Sequence, residues 1–193
     1  MQKHIEAIRS IFCLADRRDI ALWLESGWAI DARLGKITRE HEDIDIAFPS
    51  ERQQDYLALL YSLCFGDYQE MDYCFLMSQD GILLDCEPCR VVEGEYVVEG
   101  FPKGSCPLEK EGQINGFPVR CLSWDAMYFE FLGYMDDVPR EKWRDRDVVS
   151  LEIIKAHVTA ERQEVLKRGY SERKAQQTLA GERRCAPPPE ARR

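Results

Sequence analysis

The sequence predicts an α+β chain, with strands and flanking helices in the first part and only helices in the second. Between residues 4 and 16, apolar side chains recur at spacings of three and four, which is typical of an amphipathic helix. Ile44 and Ile46 belong to a short β-branched run that is typical of a buried strand. After Leu122 the apolar spacing is helical, so we expect the sheet to lie wholly before it.

The remaining elements follow from local patterns. Predicted strands cover residues 21–24, 44–48, 73–77, 82–86, 96–98 and 117–121. Predicted helices cover residues 4–16, 28–35, 50–64, 123–134 and 148–168. Ser50 and Gln53 form a capping-box pattern at the start of the third helix, Ser123 is the expected N-cap of the fourth, and Gly169 is the expected end of the fifth.

These elements predict two folded parts and a tail. The first part covers residues 1–121 and carries the sheet, and the second covers residues 122–170 and is helical. Residues 171–193 contain few large apolar side chains and a run of three prolines, so we expect a disordered tail there.

Composition limits the classes of partner. The chain has 193 residues, and its formal charge of −9 argues against a nucleic-acid partner, which needs a basic surface. An acidic cleft suits a polycationic small molecule instead. The chain has neither an apolar run of transmembrane length nor a signal-peptide pattern, so we expect a cytoplasmic monomer without a membrane partner.

The eight cysteines are expected to be reduced thiols, because the sequence carries no secretory signal. Cys86 and Cys89 form a Cys-x-x-Cys pattern, but the second pair that zinc would need at a suitable spacing is absent from the sequence. A structural or redox role for this pair stays open as the less favoured alternative.

The strongest chemical signal is Asp43-Ile44-Asp45-Ile46. Residues two apart in a strand share a face, so Asp43 and Asp45 present their carboxylates side by side while the isoleucines enter the core. Two close carboxylates repel each other unless a cation lies between them. Carboxylate oxygens are the ligands that Mg²⁺ and Mn²⁺ prefer, which predicts a divalent-metal site.

Upstream, Ser26 and Gly27 form a small-residue turn before a predicted helix. Such a turn lets backbone N–H groups approach phosphate oxygens, and the helix dipole adds to the attraction. Arg39 and His41 lie between this turn and the aspartates and could bind a phosphate. The alternatives are an ordinary turn glycine and an exposed charged loop.

These motifs resemble the polymerase-β-like nucleotidyltransferases. The string GWAIDARLGKITREHEDID resembles the antibiotic-modifying members, and LLDCEP, GSCP and PVRCLSW resemble the aminoglycoside 2″-O-adenylyltransferases. The resemblance runs from about Leu22 to Trp143, and it implies a mixed β-sheet flanked by helices with a helical C-terminal half. Lincosamide nucleotidyltransferases share the first string in similar form.

The resemblance also implies the reaction, in which AMP passes from ATP to a hydroxyl of a 4,6-linked aminoglycoside and pyrophosphate is released. Two Mg²⁺ or Mn²⁺ ions would be held by Asp43, Asp45 and Asp85, and Asp85 would be the catalytic base. From the residues alone, Asp85 could instead cap a turn.

Further contacts are assigned more loosely. Arg146 is a candidate for the triphosphate, and the substrate candidates are Tyr73, Glu87, Asp125 and Glu130. Of these, Glu87 shares the face of Asp85, and the resemblance places an acidic substrate contact at Glu130. The alternatives are a core position for Tyr73 and solvated helix positions for Asp125 and Glu130.

One departure from the family pattern lies at the turn. The turn usually reads Gly-Gly or Gly-Ser, whereas Glu25 stands here at a position where glycine is common. A carboxylate beside a triphosphate would repel it by up to about 1 kcal/mol in water-like surroundings, unless the side chain points away. A nucleotide-binding module without turnover, of the antitoxin type, is the alternative function, and the presence of Asp85 argues against it.

Overall fold

The computed structural model describes residues 1–185, with side chains through residue 176. The helices are α1 (Gln2–Arg17), α2 (Ser26–Leu34), α3 (Gln53–Ser62), α4 (Trp124–Asp137), α5 (Asp145–His157) and α6 (Ala160–Cys185). The strands are β1 (Trp23–Leu24), β2 (Ile44–Pro49), β3 (Gly66–Glu70), β4 (Phe75–Gln79), β5 (Ile82–Val92), β6 (Glu95–Val98), β7 (Gly112–Ile114) and β8 (Phe117–Val119).

Strands β1 to β6 form one mixed sheet in the order β1-β2-β5-β4-β3, with β6 paired to β5. Strand β2 runs parallel to β5, and the other neighbours in this sheet are antiparallel. Strands β7 and β8 form a separate antiparallel pair. Helices flank the sheet and follow it, so the α+β prediction is confirmed.

A continuous apolar core holds these layers together. Ile8 and Ile11 of α1 are fully buried, as are Ile44 and Ile46 of β2. The same cluster reaches Leu166 of α6, on the far side of the predicted boundary at residue 122. Because the core crosses that boundary, the division into two domains stays a prediction.

Two predictions about the sheet are wrong in detail. Strand β3 was not predicted, because its sequence GDYQE is polar and mostly exposed and lacks an apolar alternation. Strand β5 runs to Val92, well beyond the predicted end, because β6 folds back and pairs with its second half.

The predicted capping box of α3 is also wrong. Ser50 makes no side-chain cap and instead opens a 3₁₀ turn, Ser50–Arg52, ahead of α3.

Ser123 does cap α4, and its hydroxyl accepts a hydrogen bond from the Ala126 N–H. The helix predicted over residues 148–168 is two helices. Val158 is extended between them, and the Thr159 hydroxyl accepts from the Arg162 N–H at 3.2 Å, which begins α6.

Helix α6 then continues past Gly169 to Cys185. The predicted helix end at Gly169 is therefore wrong, and residues 171–185 of the predicted tail continue this helix. Residues 186–193 of the predicted tail lie outside the described residues. Within residues 1–185, no helix is long and apolar enough to span a membrane.

Gly169→Ala should stabilise the protein by about 1 kcal/mol, because glycine inside a helix is unfavourable relative to alanine. An added Cβ would meet no atom within 4 Å. Urea unfolding measures the change. If α6 ended at Gly169 in a left-handed conformation, the same substitution would destabilise the fold instead.

Gly35→Ala is the matched control, since Gly35 ends α2 with φ 66° and its added Cβ would lie 2.7 Å from the Gln113 side chain. It should destabilise the protein by about 1–2 kcal/mol.

Candidate active site

Two of the predicted aspartates meet on neighbouring strands of the sheet, and the third lies just before one of these strands. In the parallel register of β2 and β5, Asp45 lies directly beside Asp85. Asp43 lies in the bend just before β2, and its charge acts on both Asp45 and Asp85. The register thus brings Asp45 and Asp85 together with Asp43 nearby, and Ile44 and Ile46 of β2 are fully buried.

This cluster is strongly electronegative. Burial raises the pKa of Asp45 well above its usual value, and the charges of Asp43, Glu130 and Asp85 raise it further. Burial also raises the pKa of Asp85, although a hydrogen bond with the Cys74 thiol opposes the shift. A divalent cation would relieve this repulsion, and carboxylates are suitable donors for Mg²⁺.

The carboxylate oxygens of Asp43, Asp45 and Asp85 are therefore suitable ligands for a hard divalent cation. Among the described residues, however, no three His, Cys, Asp or Glu side chains are drawn together into a ready-made metal site. Holding an ion would require the carboxylates of Asp43, Asp45 and Asp85 to converge on it.

The predicted turn at Ser26 and Gly27 is the first turn of α2, which begins two residues earlier than predicted, and it is tied to these aspartates. The Glu25 N–H donates to the Asp45 carbonyl oxygen at 3.0 Å, which fixes the turn against β2. A Cβ on Gly27 would lie 2.8 Å from the His41 ring and closer still to the Arg39 guanidinium. Gly27 is therefore required for close packing, whether or not a phosphate binds there.

A cavity of about 150 Å³ opens beside this turn. Ser26, Gly27 and Arg39 line it on one side, and Glu130 and Arg144 line it on the other. Burial lowers the pKa of Arg39, and the charge of Arg146 lowers it further. A cavity that joins a helix N-terminus to arginines has the features of a phosphate site.

His41 has structural contacts of its own. Its Nε2 lies 2.7 Å from a carboxylate oxygen of the fully buried Asp31, and its ring stacks on Trp28 with centroids 4.2 Å apart. Thr38 donates to the other oxygen of Asp31. The structure thus gives His41 a role in holding the loop before β2, while the predicted phosphate contact stays a prediction.

Arg146 is paired with a carboxylate near the site. Its guanidinium makes two hydrogen bonds to Glu42, at 3.0 and 2.8 Å, next to Asp43 in the chain. Arg144 forms a similar pair with Asp147 at the start of α5. A triphosphate would have to compete with Glu42 for Arg146.

A second, larger cavity of about 560 Å³ lies along β4 and β5. Tyr73 and Glu87 line it, as do Glu70, Glu99 and Arg173. Tyr73 is 63% exposed, so the alternative that it belongs to the core is excluded. Burial and the charges of Glu130 and Asp85 raise the pKa of Glu87 to about 7.

The two helical acids differ. Glu130 lines the smaller cavity and accepts a hydrogen bond from the Ser26 hydroxyl at 2.6 Å, so it lies at the site. Asp125 is instead paired with Arg162 of α6 at 2.6 Å and lines neither cavity. The structure does not place Asp125 with the other predicted substrate residues.

Sequence reasoning missed Arg144, Tyr134 and Arg173 as lining residues. Arg173 was missed because its segment was predicted to be disordered, yet its guanidinium donates to the Gly100 carbonyl at 2.8 Å.

Comparison with known proteins decides the family. The family model of aminoglycoside-2″-adenylyltransferases matches residues 7–177. The chain belongs to the aminoglycoside-2″-adenylyltransferase family. It is 40% identical over 171 residues to 2″-aminoglycoside nucleotidyltransferases of Escherichia coli and Klebsiella pneumoniae, which covers 89% of this chain and 97% of each relative.

Solved structures of the family agree. The crystal structure of ANT(2″)-Ia in complex with adenylyl-2″-tobramycin matches with a TM-score of 0.84 and 40% identity, covering 89% of this chain and 98% of that one. The solution structure of ANT(2″)-Ia matches with a TM-score of 0.88 and 38% identity, covering 94% and 98%.

A lincosamide resistance protein of Staphylococcus haemolyticus is 38% identical over 133 residues, which is 64% of this chain and 81% of that protein. The aminoglycoside relatives match a longer part of the chain. This agrees with the motifs LLDCEP, GSCP and PVRCLSW, which resemble the aminoglycoside 2″-O-adenylyltransferases.

His41→Ala should destabilise this adenylyltransferase-family fold by about 3 kcal/mol, because it leaves one oxygen of the fully buried Asp31 carboxylate without its hydrogen-bond partner. Urea unfolding gives the free energy. His157→Ala is the control, since His157 is an exposed residue stacked on Trp124, and it should cost less than about 1 kcal/mol. Equal stabilities of the two variants would show that His41 does not hold this loop.

Proposed function

We propose that this protein transfers AMP from Mg-ATP to the 2″ hydroxyl of 4,6-linked aminoglycosides such as gentamicin, kanamycin and tobramycin. The observation that carries the proposal is the register of β2 and β5, which places Asp45 beside Asp85 next to a phosphate-type turn. Membership of the aminoglycoside-2″-adenylyltransferase family supports it.

The smaller cavity is the proposed place of the triphosphate. Backbone N–H groups at Ser26 and Gly27 would donate to phosphate oxygens, and Arg39 would pair with them. Arg146 would join after exchanging Glu42 for a phosphate, and His41 would contribute mainly by holding the loop.

Asp43, Asp45 and Asp85 would hold two Mg²⁺ or Mn²⁺ ions. When bound, the ions neutralise charge on the phosphates and on the acceptor oxygen. Asp45 and Asp85 would also orient these groups, because the pairing of β2 with β5 fixes their positions.

Asp85 is the proposed catalytic base. Its carboxylate takes the proton of the acceptor hydroxyl, whose oxygen then forms a bond to the α-phosphorus of ATP. The bond from the α-phosphorus to the bridging oxygen breaks, and pyrophosphate leaves with that electron pair. The products are the O-adenylylated aminoglycoside and pyrophosphate.

The larger cavity is the proposed place of the aminoglycoside. There, one ammonium group of the drug would pair with Glu87, and a sugar ring would pack on exposed Tyr73. Glu130, which lines the smaller cavity, would pair with a further ammonium group. Asp125 is left out of these contacts because Arg162 already holds it. The cytoplasmic location and the monomeric state stay predictions.

A second candidate is the transfer of AMP to a lincosamide. The similarity to the lincosamide resistance protein favours it, but that similarity covers less of the chain. The same site chemistry would serve both acceptors, so the acceptor has to be tested directly.

Pyrophosphate release with Mg-ATP should occur when gentamicin, kanamycin or tobramycin is added, and not with lincomycin. Asp85→Asn should lower kcat at least about 100-fold, because it removes a carboxylate that accepts the proton. Asp137→Asn, at the exposed end of α4, is the control and should leave kcat within twofold.

Release with lincomycin alone would move the function to the second candidate. Tight Mg-ATP binding without turnover of any drug would favour a nucleotide-binding module and contradict the proposal.

A further inference from the structure

Arg144 lines the smaller cavity at the start of α5, opposite Ser26 and Gly27. Its side chain is 56% exposed, so a ligand can reach the guanidinium. Nε and Nη2 donate to the two carboxylate oxygens of Asp147, at 3.0 and 2.9 Å. A guanidinium has five N–H donors, and the two on Nη1 take no part in this pair. Arg144 can therefore bind an anion without giving up Asp147.

Asp147 fixes the position of this guanidinium. It is 8% exposed, and its Oδ2 also accepts hydrogen bonds from the Tyr134 hydroxyl at 2.8 Å and from the Arg144 N–H at 2.9 Å. The Tyr134 ring packs on Phe131 and Trp143, with centroids 5.5 Å from each. Burial opposes the charged form, but the hydrogen bonds from Arg144 and Tyr134 lower the pKa of Asp147 to about 2. A charged acceptor with several donors therefore holds Arg144 in one direction.

The fold does not require an arginine at position 144. Residue 144 is the N-cap of α5, and Asp147 caps the helix by accepting from its backbone N–H. Any residue other than proline supplies that N–H. The ion pair between the two side chains is half-exposed, and such pairs contribute little to stability. The guanidinium therefore has its clearest use in the cavity that it lines.

Arg144 differs from the other arginine at the start of α5. Both terminal nitrogens of Arg146 bind Glu42, so Arg146 has to release a carboxylate before it can bind phosphate. Burial lowers the pKa of Arg39, and so do the positive charges of Arg146 and Arg144. A polyanion among the three arginines would relieve this repulsion. Glu130 also lines the cavity, but its Oε1 is occupied by a hydroxyl of the first turn of α2.

The lining of the cavity indicates which phosphates reach Arg144. The α-phosphorus has to react beside Asp45 and Asp85, and neither aspartate lines the smaller cavity. In the proposed complex the α-phosphate therefore lies at the edge of the cavity, and the β- and γ-phosphates extend into it.

We propose that Arg144 binds the β- and γ-phosphates of ATP and the pyrophosphate that leaves, and that Asp147 and Tyr134 are positioning residues for its guanidinium. The inference rests on the proposed function and adds to it a cation that is in place before the nucleotide arrives. A preorganised donor loses less conformational freedom on binding than Arg146, which has to exchange partners. Arg144 also stabilises the negative charge that develops on the bridging oxygen as pyrophosphate leaves.

The test is calorimetric binding of α,β-methylene-ATP with Mg²⁺, pyrophosphate with Mg²⁺, and AMP to the wild type and to Arg144→Gln. Glutamine keeps the N–H of the cap and removes the charge. We expect the Kd of the first two ligands to rise at least about tenfold, which corresponds to about 1.4 kcal/mol. The Kd of AMP, which lacks both terminal phosphates, and that of tobramycin should stay within twofold. Arg140→Gln removes the same charge at an exposed position outside the cavity and should change none of these values.

Asp147→Asn tests the positioning role. The amide oxygen still accepts the N–H of the cap, but the charged partner of Arg144 is lost. The Kd of α,β-methylene-ATP should rise about threefold when Arg144 is present and stay unchanged in the Arg144→Gln background, because Asp147 acts through that arginine. Equal weakening in both backgrounds would show that Asp147 has only a structural role.

Melting temperatures check that each variant is folded. Arg144→Lys is the second variant, and its pyrophosphate Kd should lie between those of the wild type and Arg144→Gln, since lysine keeps the charge but loses the planar fork. A pyrophosphate Kd within twofold of the wild type in folded Arg144→Gln would overturn the inference, and so would an equal loss of AMP affinity. Failure of the wild type to bind the nucleotide analogue would instead remove the proposed function, and the inference with it.

Discussion

The parallel pairing of β2 with β5 is the constraint on which the site depends. It sets Asp45 beside Asp85, although the two lie far apart in the chain. A slip of one residue would turn either carboxylate into the core and either isoleucine of β2 out of it. The register is therefore fixed by the fully buried Ile44, Ile46 and Leu84, so the apolar core determines where the charges stand.

The same register concentrates acids that the fold does not neutralise. Burial and neighbouring charges raise the pKa values of Glu25 and Glu87, and burial raises that of Glu130 against a hydrogen bond from Ser26. Such repulsion lowers the stability of the free protein, and ligands that bring positive charge recover it on binding. An acidic cluster of this kind selects cationic substrates because cations gain more from entering it than neutral molecules do.

Local patterns in the sequence were enough for most strands of the sheet and for the Asp-x-Asp motif, because each depends on residues close together in the chain, but they missed β3 and the true start of α2. The ion pairs could not be predicted, because the two residues of each pair lie far apart in the chain. Arg146 meets Glu42, and Asp125 meets Arg162, across long stretches of sequence, and a list of charges does not say which of many partners is chosen. The break at Val158 escaped detection because its residues fit a helix by spacing.

Gly27 has a packing role in addition to its predicted contact with phosphate. A small residue at this position predicts a contact with phosphate. In the structure, the His41 ring and the Arg39 guanidinium occupy the space that a side chain on residue 27 would need. Packing and phosphate binding therefore both require that residue 27 has no Cβ. The His41 ring that packs on Gly27 is itself held by Asp31.

Glu130 connects the two cavities in energetic terms. It accepts from Ser26 at the turn, lines the smaller cavity, and raises the pKa of both Asp45 and Glu87. A cation that arrives at any one of these carboxylates lowers the pKa of the others and so favours the charged forms that hold the next cation. By linkage the effect is reciprocal, so metal and aminoglycoside should each strengthen the binding of the other through this one side chain.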